Sequence, residues 1–140
     1  MSVEFFLDTN ILVYALGEGY PGKKEIARSL LKEARNQGNG CISFQVVQEF
    51  VNAALKKFRP TLGHEELRIL LSKSFFPICR GWPGNGFYAE ALDAQQITRL
   101  HWYDCLILQA AVEAECKTLY SEDLQHGFQY RGVTVRNPFR

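Results

Sequence analysis

Four acidic residues, Asp8, Glu49, Asp104 and Asp123, each stand at an element end or helix opening among apolar neighbours, where a solitary charge is costly. Asp8 closes the run Val3-Glu4-Phe5-Phe6-Leu7, and Asp104 opens Asp104-Cys105-Leu106-Ile107-Leu108-Gln109-Ala110-Ala111. Buried carboxylates need a partner, and their oxygens suit a hard divalent cation. Four of them cannot stay ionised together without neutralisation. The set therefore points to a metal-binding pocket. Taken singly, each acid has a plainer role: Asp8 or Asp104 as a helix cap, Glu49 on a solvated flank, Asp123 at the start of a turn.

The elements that must bring these acids together follow from periodicity and breakers. A strand at residues 3–7 leads into Asp8-Thr9-Asn10 and a short helix carrying Ile11, Leu12, Tyr14 and Ala15, ended by Gly17, Gly19, Pro21 and Gly22. Ile26, Leu30, Leu31 and Ala34 at helical spacing predict an amphipathic helix over 23–37, stopped by Asn36-Gln37-Gly38-Asn39-Gly40. Cys41-Ile42 predicts a brief strand. Ser43 is placed to cap a helix with Val47, Phe50, Val51, Ala54 and Phe58 on one face and Glu49 beside it. After the breaker Pro60-Thr61-Leu62-Gly63 we expect a helix over 64–74, a strand over 75–79 and a loop over 80–86. Helices at about 87–99 and about 103–115 follow, with strands at 118–120 and 133–135.

Short apolar strands alternating with helices indicate an α/β domain whose parallel sheet is covered on both faces. Sites in such sheets form at the carboxyl ends of the strands. Asp8 and Asp123 follow strands directly, and the helix openings at Ser43 and Asp104 bring Glu49 and Asp104 to the same edge. At 140 residues, a single domain spanning 1–140 is expected.

Composition removes several classes. Hydrophobic residues make up 46% of the chain and aromatics 13%, which excludes disorder. No apolar run approaches the roughly 20 residues that span a bilayer. No membrane partner is expected, and Met1-Ser2-Val3-Glu4 carries no basic leader, so a cytoplasmic location is expected. Cys41, Cys79, Cys105 and Cys116 form no C-x-x-C pair, which speaks against thiolate zinc and for reduced, buried thiols. Sixteen basic against fifteen acidic residues leave +1, so only local clusters favour a polyanion: Lys23, Lys24 and Arg28; Lys56, Lys57 and Arg59; and Arg131, Arg136 and Arg140. Such runs are more often solvated faces.

Three other motifs fall short. Gly17-Glu18-Gly19-Tyr20-Pro21-Gly22-Lys23-Lys24 nearly matches a phosphate-binding loop, but Lys24 replaces the hydroxyl that would hold Mg2+ and a helix precedes it. Gly84-Asn85-Gly86-Phe87-Tyr88-Ala89 mimics a dinucleotide fingerprint; Pro83 argues instead for a turn with Asn85 capping the next helix. Asp8-Thr9-Asn10 lacks the second Asp of an aspartyl-phosphate phosphatase. Trp82, Trp102, Tyr103 and Tyr130 offer faces for unpaired bases, although aromatics in such contexts more often pack. His64, His101 and His126 read as surface, capping or substrate-contacting residues.

Taken in order, Leu7-Asp8-Thr9-Asn10-Ile11-Leu12-Val13-Tyr14, Ser43-Phe44-Gln45-Val46-Val47-Gln48-Glu49-Phe50, His101-Trp102-Tyr103-Asp104-Cys105-Leu106-Ile107 and Leu119-Tyr120-Ser121-Glu122-Asp123-Leu124 resemble the PIN-domain ribonucleases, specifically VapC-like toxins. The resemblance runs from residue 3 to about 136. It implies a PIN-like three-layer α/β/α domain with a central parallel sheet. It also implies that Asp8, Glu49, Asp104 and Asp123 bind Mg2+ or Mn2+ and activate water, with Thr9, Asn10 and Ser121 orienting carboxylates or bound water. Glu122 rivals Asp123 for the last position, but neighbours cannot easily face one pocket and Asp123 fits the pattern. An RNA substrate cut to 5′-phosphate and 3′-hydroxyl ends, a protein antitoxin and a homodimer are further implications. A groove beside the helices at 23–37 and 43–58 is a candidate seat for an antitoxin helix. The alternative is a non-catalytic RNA-binding or partner-binding PIN domain.

Overall fold

A computed structural model describes residues 3–58 and 62–140; Met1, Ser2, Arg59, Pro60 and Thr61, and with them part of the leader, cluster and breaker expectations, lie outside the described residues. Strand β1 (Phe5–Leu7) is an interior strand of a five-stranded sheet ordered β2-β1-β3-β5-β4, where β2 is Gly40–Cys41, β3 Thr118–Tyr120, β4 Gln129–Tyr130 and β5 Val133–Arg136. β1 pairs in parallel with β2 and β3, and β3 in parallel with β5. Phe5, Phe6 and Leu7 are all buried, so both faces of β1 are covered, as a central parallel strand requires.

Six α-helices cover the sheet among the described residues: α1 (Thr9–Leu16), α2 (Lys24–Gln37), α3 (Phe44–Lys57), α4 (His64–Leu70), α5 (Asn85–Thr98) and α6 (Trp102–Glu113). Helix α1 packs on α2 and α3, while α5 packs on α6, which lies against β3 and β5. Helix α2 ends as its sequence demands, with Gly38 at φ 70° and its N–H donating to the Ala34 carbonyl. The mixed α/β class with a mostly parallel sheet agrees with the sequence. No helix among the described residues is long and apolar enough to cross a membrane.

Several local expectations are corrected. Residues 75–79 are not a strand: α4 runs on as a π-helical turn over Leu71–Phe75 and a 3-10 turn over Phe76–Ile78, leaving only an isolated parallel bridge between Ile42 and Cys79. Pro77, with no N–H and a fixed φ, suits the start of a helical turn and not a ladder. The turn lets Phe75 meet Phe50 edge-on at 4.9 Å. Strand β4 was missed because it is two residues long; it pairs antiparallel with β5 through Arg131 and Gly132, both at positive φ, the backbone of a tight hairpin turn. Gly84, not Asn85, caps α5, and Asn85 is its first residue. Ser43 does occupy the cap position of α3, but its hydroxyl makes no capping bond.

Backbone and side chains meet tightly at Gly40, the first residue of β2. A Cβ placed on Gly40 would stand 2.3 Å from the Phe5 ring and 2.6 Å from the Ala34 Cβ. Both neighbours are fixed in the core, so Gly40→Ala is expected to cost about 1–3 kcal/mol through overpacking. Urea unfolding checks this; an unchanged midpoint would show that the β2 edge yields freely.

Candidate active site

Asp8 is the geometric centre of the site. Its backbone is extended at the end of β1 and its carboxylate caps α1, Oδ1 accepting from the Thr9 N–H at 2.7 Å. Parallel pairing sets Leu7 opposite Tyr120, and the Asp8 N–H donates to the Tyr120 carbonyl at 3.0 Å. The next residue of that chain, Ser121, therefore lies beside Asp8, and its hydroxyl donates to Asp8 Oδ2 at 2.8 Å. The Ser121 Oγ also accepts from the Asp123 and Leu124 N–H groups at 3.2 and 3.3 Å, shaping the turn that carries Asp123.

On the other side of Asp8, the Thr9 hydroxyl donates to Glu49 Oε1 at 2.5 Å. Gln45, one turn before Glu49 on α3, donates through Nε2 to Glu49 Oε2 at 3.3 Å and to the Tyr103 carbonyl at 3.1 Å. The residue beside Asp104 is thereby tied to the side chain of Glu49. Thr9 and Ser121, expected as orienting residues, hydrogen-bond to Glu49 and Asp8 respectively. Gln45 stood in the quoted motif without a role; its four-residue spacing to Glu49 on one helix was the available signal. Asn10 is less engaged: its Oδ1 accepts from the Glu122 N–H at 3.5 Å, and its buried Nδ2 has no partner.

Not every acid sits as expected. Asp8 is 5% exposed, Glu49 and Asp104 are half-buried, and Asp123 is exposed, so apolar surroundings hold for the first and not the last. Glu49 lies in the second turn of α3, away from any helix opening, and Asp104 is the third residue of α6, whose cap is His101. Glu122 faces another group of side chains. It accepts from the Tyr14 hydroxyl and from Lys23 Nζ at 2.5 Å. Burial pushes its carboxyl up, but Lys23 and Tyr14 outweigh this and hold it below the usual range.

The four acids share one electrostatic neighbourhood. Burial raises the Asp8 pKa to about 7 against the Ser121 and Thr9 hydrogen bonds, with further upward pushes from Asp123 and Glu49. Asp104 is raised by burial, then by Asp123 and Glu49, with His101 opposing. Among the described residues, no lysine or arginine is one of the principal influences on either group. Nor do three His, Cys, Asp or Glu side chains among them stand close enough to form a ready-made metal cage. By donor chemistry, all carboxylate oxygen, and by uncompensated charge around a buried Asp8, the set fits a hard divalent cation.

The competing motifs dissolve. Lys24 folds back to Glu18 and the Gly17 carbonyl, Lys23 is held by Glu122, and the loop follows α1. The cysteines are free, with Cys41, Cys105 and Cys116 buried. Tyr130 is 7% exposed in the core and has no face for a base. His126 Nδ1 accepts from the Asn137 N–H, a structural contact.

With this geometry in hand, the PIN domain family model matches residues 5–129. The chain belongs to the PIN-domain family. Two solved structures show the same PIN fold. A chain of FitAcB from Neisseria gonorrhoeae is similar at 19% identity and a TM-score of 0.63, covering 96% of this chain and 98% of that one. A chain of VapBC2 from Rickettsia felis, in a structure bound to a DNA fragment from their promoter, is similar at 20% identity and a TM-score of 0.62 with the same coverage. No curated protein sequence matches the chain.

The raised pKa of Asp8 makes the stability of this PIN domain depend on pH in the metal-free state. Between about pH 4 and pH 7 the folded protein keeps a proton that the unfolded chain has released, so stability falls as pH rises, by about 4 kcal/mol in all from this group, and is flat above pH 7. Asp8→Asn keeps an oxygen for the Thr9 N–H and removes the charge. Urea unfolding in EDTA at pH 5 and pH 8 should show wild type losing markedly more stability than Asp8→Asn. Parallel losses would place the charge cost elsewhere.

Proposed function

We propose that this PIN domain, over residues 1–140, is a metal-dependent endoribonuclease and the toxin of a bacterial toxin–antitoxin pair. The observation that carries the reading is the buried Asp8 carboxylate, pushed to about 7 and lying in the fields of Glu49 and Asp123. PIN-family membership and the family's order of acids in the sequence support it. Asp8, Glu49, Asp104 and Asp123 are the residues that would hold Mg2+ or Mn2+. Bound there, such an ion would polarise a nonbridging phosphodiester oxygen and acidify an attacking water.

The chain's own contribution is orientation. Ser121 fixes one Asp8 oxygen and the Thr9 N–H the other, so the carboxylate cannot rotate away. Thr9 and Gln45 do the same for the two oxygens of Glu49. Burial of Asp8 keeps bulk water from solvating the charge and strengthens its pull on a cation. Asp123, exposed on its turn, is the acid most open to an incoming RNA phosphate.

The partner reading rests on the likeness to chains of FitAcB and VapBC2. A protein antitoxin is expected to cover the acidic site, and a homodimer is expected. Helix α2 offers exposed Ile26 beside a shallow hollow lined by Gly22, Glu25, Ser29 and Leu30, a seat for the apolar face of such a partner. Because α1 packs on both α2 and α3, it borders the groove expected there.

Calorimetric titration with Mg2+ and Mn2+, followed by cleavage of RNA, tests the proposal. Wild type should bind metal and cut RNA. Asp8→Asn and Asp104→Asn should abolish binding and lower the cleavage rate more than about 100-fold, Ser121→Ala should cost about 10- to 100-fold, and Glu122→Gln should cut at close to the wild-type rate. No metal bound by wild type even with RNA present would overturn the mechanism and favour a partner-binding PIN domain.

A further inference from the structure

Beside the acids, and not among them, lies a cavity of about 530 Å³, walled by the start of α3, the loop before α5, and helices α5 and α6. Its lining is aromatic to an unusual degree. Phe44 and Trp82 stack at 4.2 Å between ring centroids with planes 35° apart, while Tyr88 and Trp102 lie 6.4 Å apart at 30°. Trp82 is 82% exposed and Tyr103 65% exposed, faces that a free-standing domain ordinarily buries.

Polar groups share the cleft. Arg80 brings a cation, and the Ser43 hydroxyl, buried in the wall, has no hydrogen-bond partner. Gln45 joins the cleft to the acids, because its one Nε2 donates to both Glu49 Oε2 and the Tyr103 carbonyl. Glu113 and Glu115 also line the cleft, but α6 sets Glu113 about 16 Å from Trp102. The end nearest the acidic site is therefore the aromatic one.

We propose that this cleft is a stacking subsite for unpaired bases of single-stranded RNA, seated on Trp82 and Tyr103 next to the phosphate presented to the acidic residues. Flat rings with a neighbouring arginine suit nucleobases, which stack on any aromatic face without a demand for sequence. The inference rests on the ribonuclease reading for the identity of the strand, but its test does not need cleavage.

The experiment titrates the full chain in EDTA with a short single-stranded oligoadenylate and with an abasic oligomer of the same ribose-phosphate length, following tryptophan fluorescence and the anisotropy of a labelled strand. Oligoadenylate should quench the fluorescence and bind, the abasic oligomer should bind far more weakly, and Trp82→Ala or Tyr103→Ala should each weaken binding about tenfold, with Trp82→Phe retaining most of it. Both side chains are exposed, so these variants keep the fold. Equal binding of the abasic strand, or unchanged binding by Trp82→Ala, overturns the subsite. So does a shift of Trp82→Ala from dimer to monomer with RNA binding intact, which would give the cleft to a second copy. Base-dependent binding lost in Trp82→Ala, without any metal-dependent cleavage by wild type, would sustain the subsite and sink the nuclease reading; cleavage with an unchanged KM in Trp82→Ala would do the reverse.

Discussion

Burial of one carboxylate, that of Asp8, is the constraint around which the rest is arranged. A charge at the end of a central strand cannot reach bulk water, so it must be hydrogen-bonded, protonated or paired with a cation. The fold meets the first need from two sources that only a parallel β1–β3 pair supplies together: the N–H opening α1 and the Ser121 hydroxyl just past β3. Those bonds do not cancel the desolvation, and Glu49 and Asp123 oppose them. A site that leaves a buried acid this far from its ordinary pKa gives up stability to hold the charge ready, a pattern found where chemistry is done.

The supporting hydrogen bonds form a chain that spans three helices. Ser121 joins the turn of Asp123 to Asp8; Thr9, adjacent to Asp8, joins α1 to Glu49; Gln45 joins Glu49 to the backbone of α6 at Tyr103. Each link uses a neutral donor, so the acids are oriented without their charge being spent. Glu122 shows the contrast. It has a lysine and a tyrosine hydroxyl, and its carboxyl falls below the usual range. Two adjacent acids, one compensated and structural, the other exposed and uncompensated, separate because successive residues in an extended turn point in different directions.

Much of this was legible from the residues. Apolar runs at 3–7 and 118–120, helical spacing over 23–37 and the breaker glycines carry the α/β order. The failures have physical causes. The run at 75–79 is apolar enough for a strand, yet Pro77 and the pull of Phe75 toward Phe50 make it helical, a choice that hydrophobic pattern alone does not decide. β4 is too short to leave a pattern. The depth of each acid was also invisible, since exposure of Asp123 depends on which way its turn projects. Tyr130 and Trp82 looked alike in sequence, but one is walled into the core by β5 and the other stands on a loop in solvent.

Gln45 shows why the aromatic cleft and the acidic site are better regarded as one surface than as two. Its amide has two N–H groups on one nitrogen, and the structure spends them on a carboxylate oxygen of the site and a carbonyl of the cleft rim. Moving Tyr103 must therefore release or rotate Gln45, and rotating Gln45 frees one oxygen of Glu49. A shift of the α6 backbone at Tyr103 and a cation that draws on Glu49 would thus act on the same amide. That coupling needs no long-range conformational change, because it runs through one side chain in the first turn of α3.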